Sequence, residues 1–212
     1  MKYLIIIVVA VISYLIGSVN FSILISKAIS GKDIRESGSG NAGATNMLRT
    51  HGKKMGVLTL LLDVLKGIIA IIIAIIVDEN FGANTGDLAY IAGVCVILGH
   101  NFPIYFGFKG GKGVATSLGV VLMLDWKVGL IVAAIAIAIM ALTKYVSLGS
   151  IIGGGAYIVI EVVKAVIMNN YNVIQLVCAV IIGGLLIARH HANIKRLLNG
   201  TENKLSFGKK EK

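Results

Sequence analysis

Three polar islands hold the residues able to do chemistry in a chain that is otherwise almost continuously apolar: residues 38 to 49, 99 to 113 and 189 to 204. The first reads Gly38-Ser39-Gly40-Asn41-Ala42-Gly43-Ala44-Thr45-Asn46 and closes with Arg49. The second has Gly99-His100-Asn101-Phe102-Pro103, then Lys109-Gly110-Gly111-Lys112-Gly113; the third has Arg189-His190-His191-Ala192-Asn193-Ile194-Lys195-Arg196. Glycines let backbone N–H groups approach an anion, Ser39, Asn41, Thr45 and Asn46 add donors, and Arg49 supplies a bidentate fork. Nine consecutive small or amide residues exceed what a turn at a helix end requires. The composition suits phosphate at a membrane surface.

The spacings exclude two familiar phosphate motifs. Residues 38–43 fit G-x-G-x-x-G, but that fingerprint needs a preceding strand, and here an apolar helix ends near Ser30 with a basic segment leading in. In the second island Gly107 and Gly111 are separated by three residues rather than four, and Lys112 is followed by Gly113 instead of Ser or Thr, so the Walker pattern fails. What remains is a glycine nest with two lysines at the start of a helix, a general anion site. His100 is either catalytic or a hydrogen-bonded helix terminator, the structural role being favoured. In the third island His190 and Asn193 fall one turn apart if helical, which lets both face one ligand while Lys195 and Arg196 point elsewhere. Glu202 orients a basic partner or caps a turn. No carboxylate or cysteine cluster accompanies His190 and His191, so no metal is expected. Cys95 and Cys178 lie in apolar runs and read as buried free thiols.

Apolar residues make up 57% of the 212 residues, charged residues only 14%, and the mean hydropathy is +0.89; one soluble core cannot hide that surface. The expected fold is a single all-α integral membrane domain over residues 1–212, with seven helices. Apolar runs near 3–29, 55–77, 88–98, 114–124, 128–142, 145–168 and 171–188 are the candidates, and those at 88–98 and 114–124 are short for a span of about 20 residues. They are tilted, extended by island residues or only partly spanning. The first run is too long and too polar inside, at Gly17, Ser18, Asn20 and Ser22, for a signal peptide.

Basic residues set the orientation. Lys27, Lys32, Arg35, Arg49, Lys53 and Lys54 flank the first island, Lys109 and Lys112 lie in the second, and Arg189, Lys195, Arg196, Lys204, Lys209, Lys210 and Lys212 fill the tail. Residues 78–87 and 169–172 carry none. All three islands therefore face the cytoplasm, with the N-terminus outside and the C-terminus inside. The net charge of +10 reflects this topology and attraction to anionic lipid, not nucleic acid. Within the helices, Asp63 and Lys66 at i and i+3 are costly in lipid and should pair in support of the site. Ser18 with Asn20, and Ser147 with Ser150, are expected to bond between helices.

In order and spacing, G-S-G-N-A-G-A-T-N…R, G-H-N-F-P…F-K-G-G-K-G-V-A-T and R-H-x-x-N-I-K-R-L-L-x-G-T-E resemble the bacterial acyl-phosphate-dependent glycerol-3-phosphate acyltransferases, the PlsY family. The resemblance covers nearly the whole chain and includes Leu62-Asp63-Val64-Leu65-Lys66-Gly67. It departs at Asn20, where the family usually has proline, which leaves no proline to kink the first helix, and at His191, so the family's histidine is carried to His190. The resemblance implies transfer of a fatty acyl group from acyl phosphate to the 1-hydroxyl of glycerol 3-phosphate. The products are lysophosphatidic acid and phosphate, in the first step of phospholipid synthesis at the cytoplasmic face of the bacterial inner membrane. A soluble enzyme would supply the acyl phosphate, and no cofactor is implied.

An acyl phosphate is already activated, so no covalent nucleophile is needed; the harder task is holding two phosphate-bearing substrates together. Ser39, Arg49, Lys112, His190 and Asn193 are the residues expected around the phosphates and the reacting carbonyl. Gly38, Gly40, Asn41, Thr45, Asn46, His100, Lys109, Gly110, Gly111, Gly113 and Glu202 are the expected substrate contacts, the second island mainly for glycerol 3-phosphate. The base is His190 or a substrate phosphate, with the balance towards phosphate and His190 as a donor to it. The His-x4-Asp pair of acyltransferases that use acyl-CoA or acyl-carrier protein is missing: Gly56, Tyr105, Lys195 and Arg196 stand five residues after the four histidines. A transporter of organic phosphate would be expected to show inverted repeats and midplane sites, and the sequence has neither.

Overall fold

The computed structural model describes residues 2–81, 86–168 and 172–205, and these contain helices and turns without a strand. Lys209, Lys210 and Lys212, together with residues 82–85 and 169–171 of the two loops lacking basic residues, lie outside the described residues.

The first apolar run breaks without a proline. Helices α1 (Lys2–Ser18) and α2 (Phe21–Ser30) are separated by Val19 and Asn20. Asn20 is extended at φ −99°, ψ 101°, and its side-chain oxygen accepts from the Ile23 N–H at 3.2 Å and the Ser22 hydroxyl at 2.7 Å. An N-cap thus starts a new helix where a kinking residue is lacking. Helix α3 (Ala44–Phe81) is broken once, at Gly52, whose φ of 82° and ψ of 179° separate a short leading piece carrying Arg49 from the long apolar piece.

Helix α4 (Asp87–Asn101) runs on into the second island, and with the 3-10 turn at Ile104–Phe106 it gives a 20-residue apolar stretch. Helix α5 (Val114–Leu124) has only 11 residues, about 16 Å of the roughly 30 Å hydrocarbon core. Gly113 starts it and Asp125 stops it by capping α6 (Trp126–Thr143) through bonds from the Lys127 and Val128 N–H groups. Helix α7 (Val146–Met168) and α8 (Val173–Arg189) follow, and α9 (His191–Leu198) bends away from α8 by 54°. Among the described residues all seven apolar runs are helical, but five stretches have the length and apolarity to cross a membrane, or six if α8 and α9 count as one. The remaining run is α5.

The helices α1 and α4, and α3 and α5, pack closely. A Cβ at Gly17 would collide with the Val96 backbone, and one at Gly99 with the Tyr14 carbonyl, so α1 and α4 touch main chain to main chain. The core between them contains Val9, Ile71, Leu88, Val96, Ile97, Val120 and Ile182. Most other large apolar side chains, such as Leu61, Ile76 and Ile137, are exposed on the outside of the bundle, as a lipid-facing surface requires. Cys95 and Cys178 are free thiols, the first half-buried and the second buried.

The expected serine pairings are corrected. Ser18 accepts from the Ile104 N–H at 3.4 Å, Asn20 caps α2, Ser150 bonds back to Val146 within its own helix, and Ser147 reaches Glu202. Short polar side chains here serve helix ends and loops more than helix-to-helix contacts.

Candidate active site

The three islands meet at one end of the bundle around a single cavity of about 610 Å³. Three helix N-termini line it: Ala44 and Thr45 of α3, Val114 and Ala115 of α5, and His191, Ala192 and Asn193 of α9. The first N–H groups of a helix have no partner within it, so each contributes positive potential to the same space.

Of the sequence-predicted residues, Ser39, Arg49, Lys112, His190 and Asn193 all line the cavity, as do Gly40, Asn41, Thr45, Asn46, His100, Gly110, Gly113 and Glu202. Gly38, Lys109 and Gly111 do not. Gly38, at φ 59°, wraps the loop around Asn46, and a Cβ there would collide with the Asn46 side-chain oxygen. The Lys109 and Gly111 carbonyls instead receive arginines: Arg35 donates to Lys109 and Phe106 at 2.9 Å each, and Arg189 to Gly111 at 3.0 and 3.2 Å.

Asn46 is also reassigned. Its amide oxygen accepts from the Ser39 N–H at 2.8 Å and its NH2 donates to Ile34 and Ser37 carbonyls, so it shapes the first loop instead of offering donors to a ligand. Asn193 is committed in the same way. Its NH2 donates to Glu202 at 2.6 Å and its oxygen accepts a short hydrogen bond from Lys112. Glu202 also accepts from Ser147 and from Arg196, each at 2.7 Å. Arg196 therefore points into the site, contrary to its expected position. Burial raises the Glu202 carboxyl, but these three donors outweigh it and hold its pKa below the usual carboxylate range.

The cations differ from the acids in their pairing. Among the described residues, Arg49, Lys53, Lys112 and Arg189 line the cavity with no carboxylate at ion-pair distance, whereas Asp63 pairs with Lys66 and Glu202 with Arg196. Burial pushes the Lys112 ammonium down to about 8; Glu202 opposes this, and Arg196, Arg49 and Arg189 reinforce it. His190 lies past the end of α8. Burial pushes it down to about 4 even though its Nδ1 bonds the Leu186 carbonyl at 2.8 Å. In the neutral ring that bond places the proton on Nδ1, which leaves Nε2 an acceptor.

The model of the family described as glycerol-3-phosphate acyltransferase matches residues 7–200. The chain belongs to the glycerol-3-phosphate acyltransferase family. Among curated acyltransferases of that name, one from Clostridioides difficile is 45% identical over 94% of this chain and 95% of its own. Another, from Aquifex aeolicus, is 43% identical over 92% and 96%. A crystal structure of PlsY (YgiH), an integral membrane glycerol 3-phosphate acyltransferase in its glycerol 3-phosphate form, superposes with a TM-score of 0.83 at 41% identity. It covers 95% of this chain and 96% of that one. A lysophosphatidic acid form of PlsY superposes with a TM-score of 0.77 at 39% identity. This acyltransferase is accordingly a multi-pass integral membrane enzyme of phospholipid synthesis.

Two arginines organise the acyltransferase site without being assigned a role in it from sequence: Arg35 reads there as a topology charge, and Arg189 as a topology charge within the third island. Arg35 clamps Asp33 through both carboxylate oxygens, at 3.0 and 2.8 Å, and ties the first island to the second; its hydrogen bonds hold the Asp33 pKa below the ordinary range. Arg189 lies 5.0 Å over the Phe102 ring and grips the glycine loop from the third island. Their partners are mostly carbonyl oxygens and a ring face, which no sequence pattern marks. No group of three or more His, Cys, Asp or Glu among the described residues is placed to hold a metal.

Proposed function

We propose that this acyltransferase uses acyl phosphate as its donor and transfers the acyl group to the 1-hydroxyl of glycerol 3-phosphate. The observation that carries the reading is the cavity's unbalanced charge: two glycine loops and three helix N-termini converge with Arg49, Lys112 and Arg189, more positive potential than one phosphate requires. Two phosphate-bearing substrates neutralise it. Lys112 and Arg49 hold the phosphates, Ser39 and the loop at 38–43 approach the donor, and the loop at 110–113 takes glycerol 3-phosphate. Asn193 and Glu202 act by aiming Lys112.

The step balances without a covalent enzyme intermediate. The hydroxyl oxygen attacks the acyl carbonyl carbon, the carbonyl–phosphate C–O bond breaks, and phosphate leaves with the displaced electron pair. His190 accepts the hydroxyl hydrogen bond at Nε2 and orients the attacking oxygen, and as the new C–O bond forms the hydroxyl proton passes by way of Nε2 to the departing phosphate. The Nδ1 bond to Leu186 supports this acceptor role over donation to phosphate. The apolar wall of Val57, Leu60 and Met140 suits the acyl chain. The basic residues favour an inner-membrane orientation with the cavity on the cytoplasmic side, the N-terminus outside and the C-terminus inside.

Purified protein in detergent, given labelled glycerol 3-phosphate with acyl phosphate, acyl-CoA or acyl-carrier protein in turn, tests the donor. Labelled lysophosphatidate is expected with acyl phosphate alone. Turnover only with acyl-CoA would overturn the assignment.

A further inference from the structure

His100 is buried at the end of α4 and lines the cavity, and beside it are the two buried charges of α3, Lys66 and Asp63, the latter also on the cavity wall. Lys66 Nζ lies 2.8 Å from Asp63 Oδ1, 2.9 Å from the Val19 carbonyl and 2.9 Å from His100 Nδ1. An ammonium can only donate, so it gives hydrogen bonds to the Val19 carbonyl and to His100 Nδ1, with Asp63 beside it as the counterion. The alternative, a proton on His100 Nδ1 shared with Asp63, would span 3.5 Å and leave two donors facing each other at Lys66.

His100 Nδ1 is therefore an acceptor, and the neutral ring carries its hydrogen on Nε2. That atom has no hydrogen-bond partner among the described residues. It lies directly under Gly111: a Cβ on Gly111 would collide with Nε2. Two further bonds hold the loop over the ring, from Gly110 N–H to the Asn101 carbonyl at 3.2 Å and from Gly111 N–H to the His100 carbonyl at 3.1 Å.

We infer that Asp63 and Lys66 are positioning residues that lock His100 as an Nε2–H donor to the phosphate held by the loop at 110–113. The inference deepens the proposed acyl transfer and rests on it for the identity of that phosphate. A neutral donor suits this place because a further buried cation beside Lys66 would be repelled, whereas an N–H dipole needs no counterion. The pair's own charges cancel, so it can sit within the helices and still fix a tautomer at the cavity.

The test begins with 15N-histidine NMR on the full-length protein in detergent, with His100→Gln identifying the His100 signals. The wild-type ring is expected as the Nε2–H tautomer, and Lys66→Met is expected to shift it towards Nδ1–H. A wild-type Nδ1–H ring overturns the inference, and so does a tautomer unmoved by Lys66→Met. If Lys66→Met does not fold, the wild-type tautomer and the following pair decide. Glutamine places an N–H near the position of Nε2, asparagine near Nδ1. His100→Gln is expected to stay within about threefold of the wild-type KM for glycerol 3-phosphate, while His100→Asn raises it about tenfold, the loss of one hydrogen bond. Both should leave the donor KM unchanged; equal losses on both substrates would mark a merely structural histidine. Absence of any acyl transfer by the wild-type protein would defeat the proposed function and leave the tautomer result standing.

Discussion

Charge is concentrated at both ends of α5, and the two concentrations are built differently. At its C-terminal end, Lys164 of α7 reaches Asp125 at 2.6 Å and Glu161 at 3.4 Å, Gln175 of α8 donates to Glu161 at 3.2 Å, and Asp125 also caps α6. Lys164, Asp125 and Glu161 each have their partner within the protein. At the N-terminal end Lys112, Arg49 and Arg189 surround a cavity with no carboxylate of their own, and the carboxylates that are near belong to Lys66 and Arg196. Burying a charge is costly unless it is paired. A closed cluster therefore stabilises the bundle, and an open one stores the electrostatic deficit that an anionic ligand removes.

The largest break in that contrast is expected at Lys112. Lys112→Met removes a cation with no counterion, so kcat/KM should fall about 10²- to 10³-fold, the size of losing one preorganised charge stabiliser. The thermal midpoint should hold or rise, because the enzyme without substrate loses an unfavourable burial. A matching loss of stability would place Lys112 with the closed cluster.

The reciprocal change is Lys164→Met at the other end. It strands Asp125 and Glu161, and with the lysine about one-third exposed the cost should be about 1 to 3 kcal/mol of stability. Thermal unfolding in detergent measures it. The folded fraction should retain its kcat/KM, and a large activity loss at unchanged midpoint would erase the distinction.

The pH dependence sharpens the comparison from the open side. With Lys112 near 8 in the empty cavity, the protonated form that attracts phosphate dominates below that pH and is lost above it. The kcat/KM profile should therefore fall on the alkaline side of about pH 8, by up to tenfold per unit if the neutral amine is inactive. Bound phosphate favours the ammonium, so the corresponding limb of kcat lies at higher pH. Lys112→Arg, which stays charged, should flatten the limb even if it turns over slowly.

How much of this was legible follows from which groups do the bonding. Glycines, amides and cations concentrated in three islands mark an anion site without any structure, and apolar runs mark helices. The site's supports are less visible. Glu202 is 55 residues from Ser147, and Arg35 is 71 from the Phe106 carbonyl it holds, so only the fold brings these pairs together. Arg196 was within reach of the sequence: the spacing of three that joins His190 to Asn193 continues to residue 196, and the same face of α9 carries it to Glu202. That Lys109 and Gly111 fall outside the cavity lining was hidden for the opposite reason, since a glycine nest shows that backbone approaches something without showing which of its residues turns away.

The smallest expected effect lies at Asn20, where loss of proline did not straighten the first helix. If the cap alone makes the break, Asn20→Ala should cost about 1 kcal/mol, because the Ile23 N–H loses its acceptor. Its site effect should be slight, confined to the 3.4 Å bond from the Asn20 amide to the Ala42 carbonyl at the edge of the first loop. Asn20→Ser keeps a cap oxygen for the Ile23 N–H, removes the amide donor to Ala42 and buries no charge. It should therefore recover stability without recovering the loop contact, and the ratio of the two variants' activities reads how strongly the break between α1 and α2 is coupled to the open cluster. Equal activities with unequal midpoints would place Asn20 wholly with the closed, structural set.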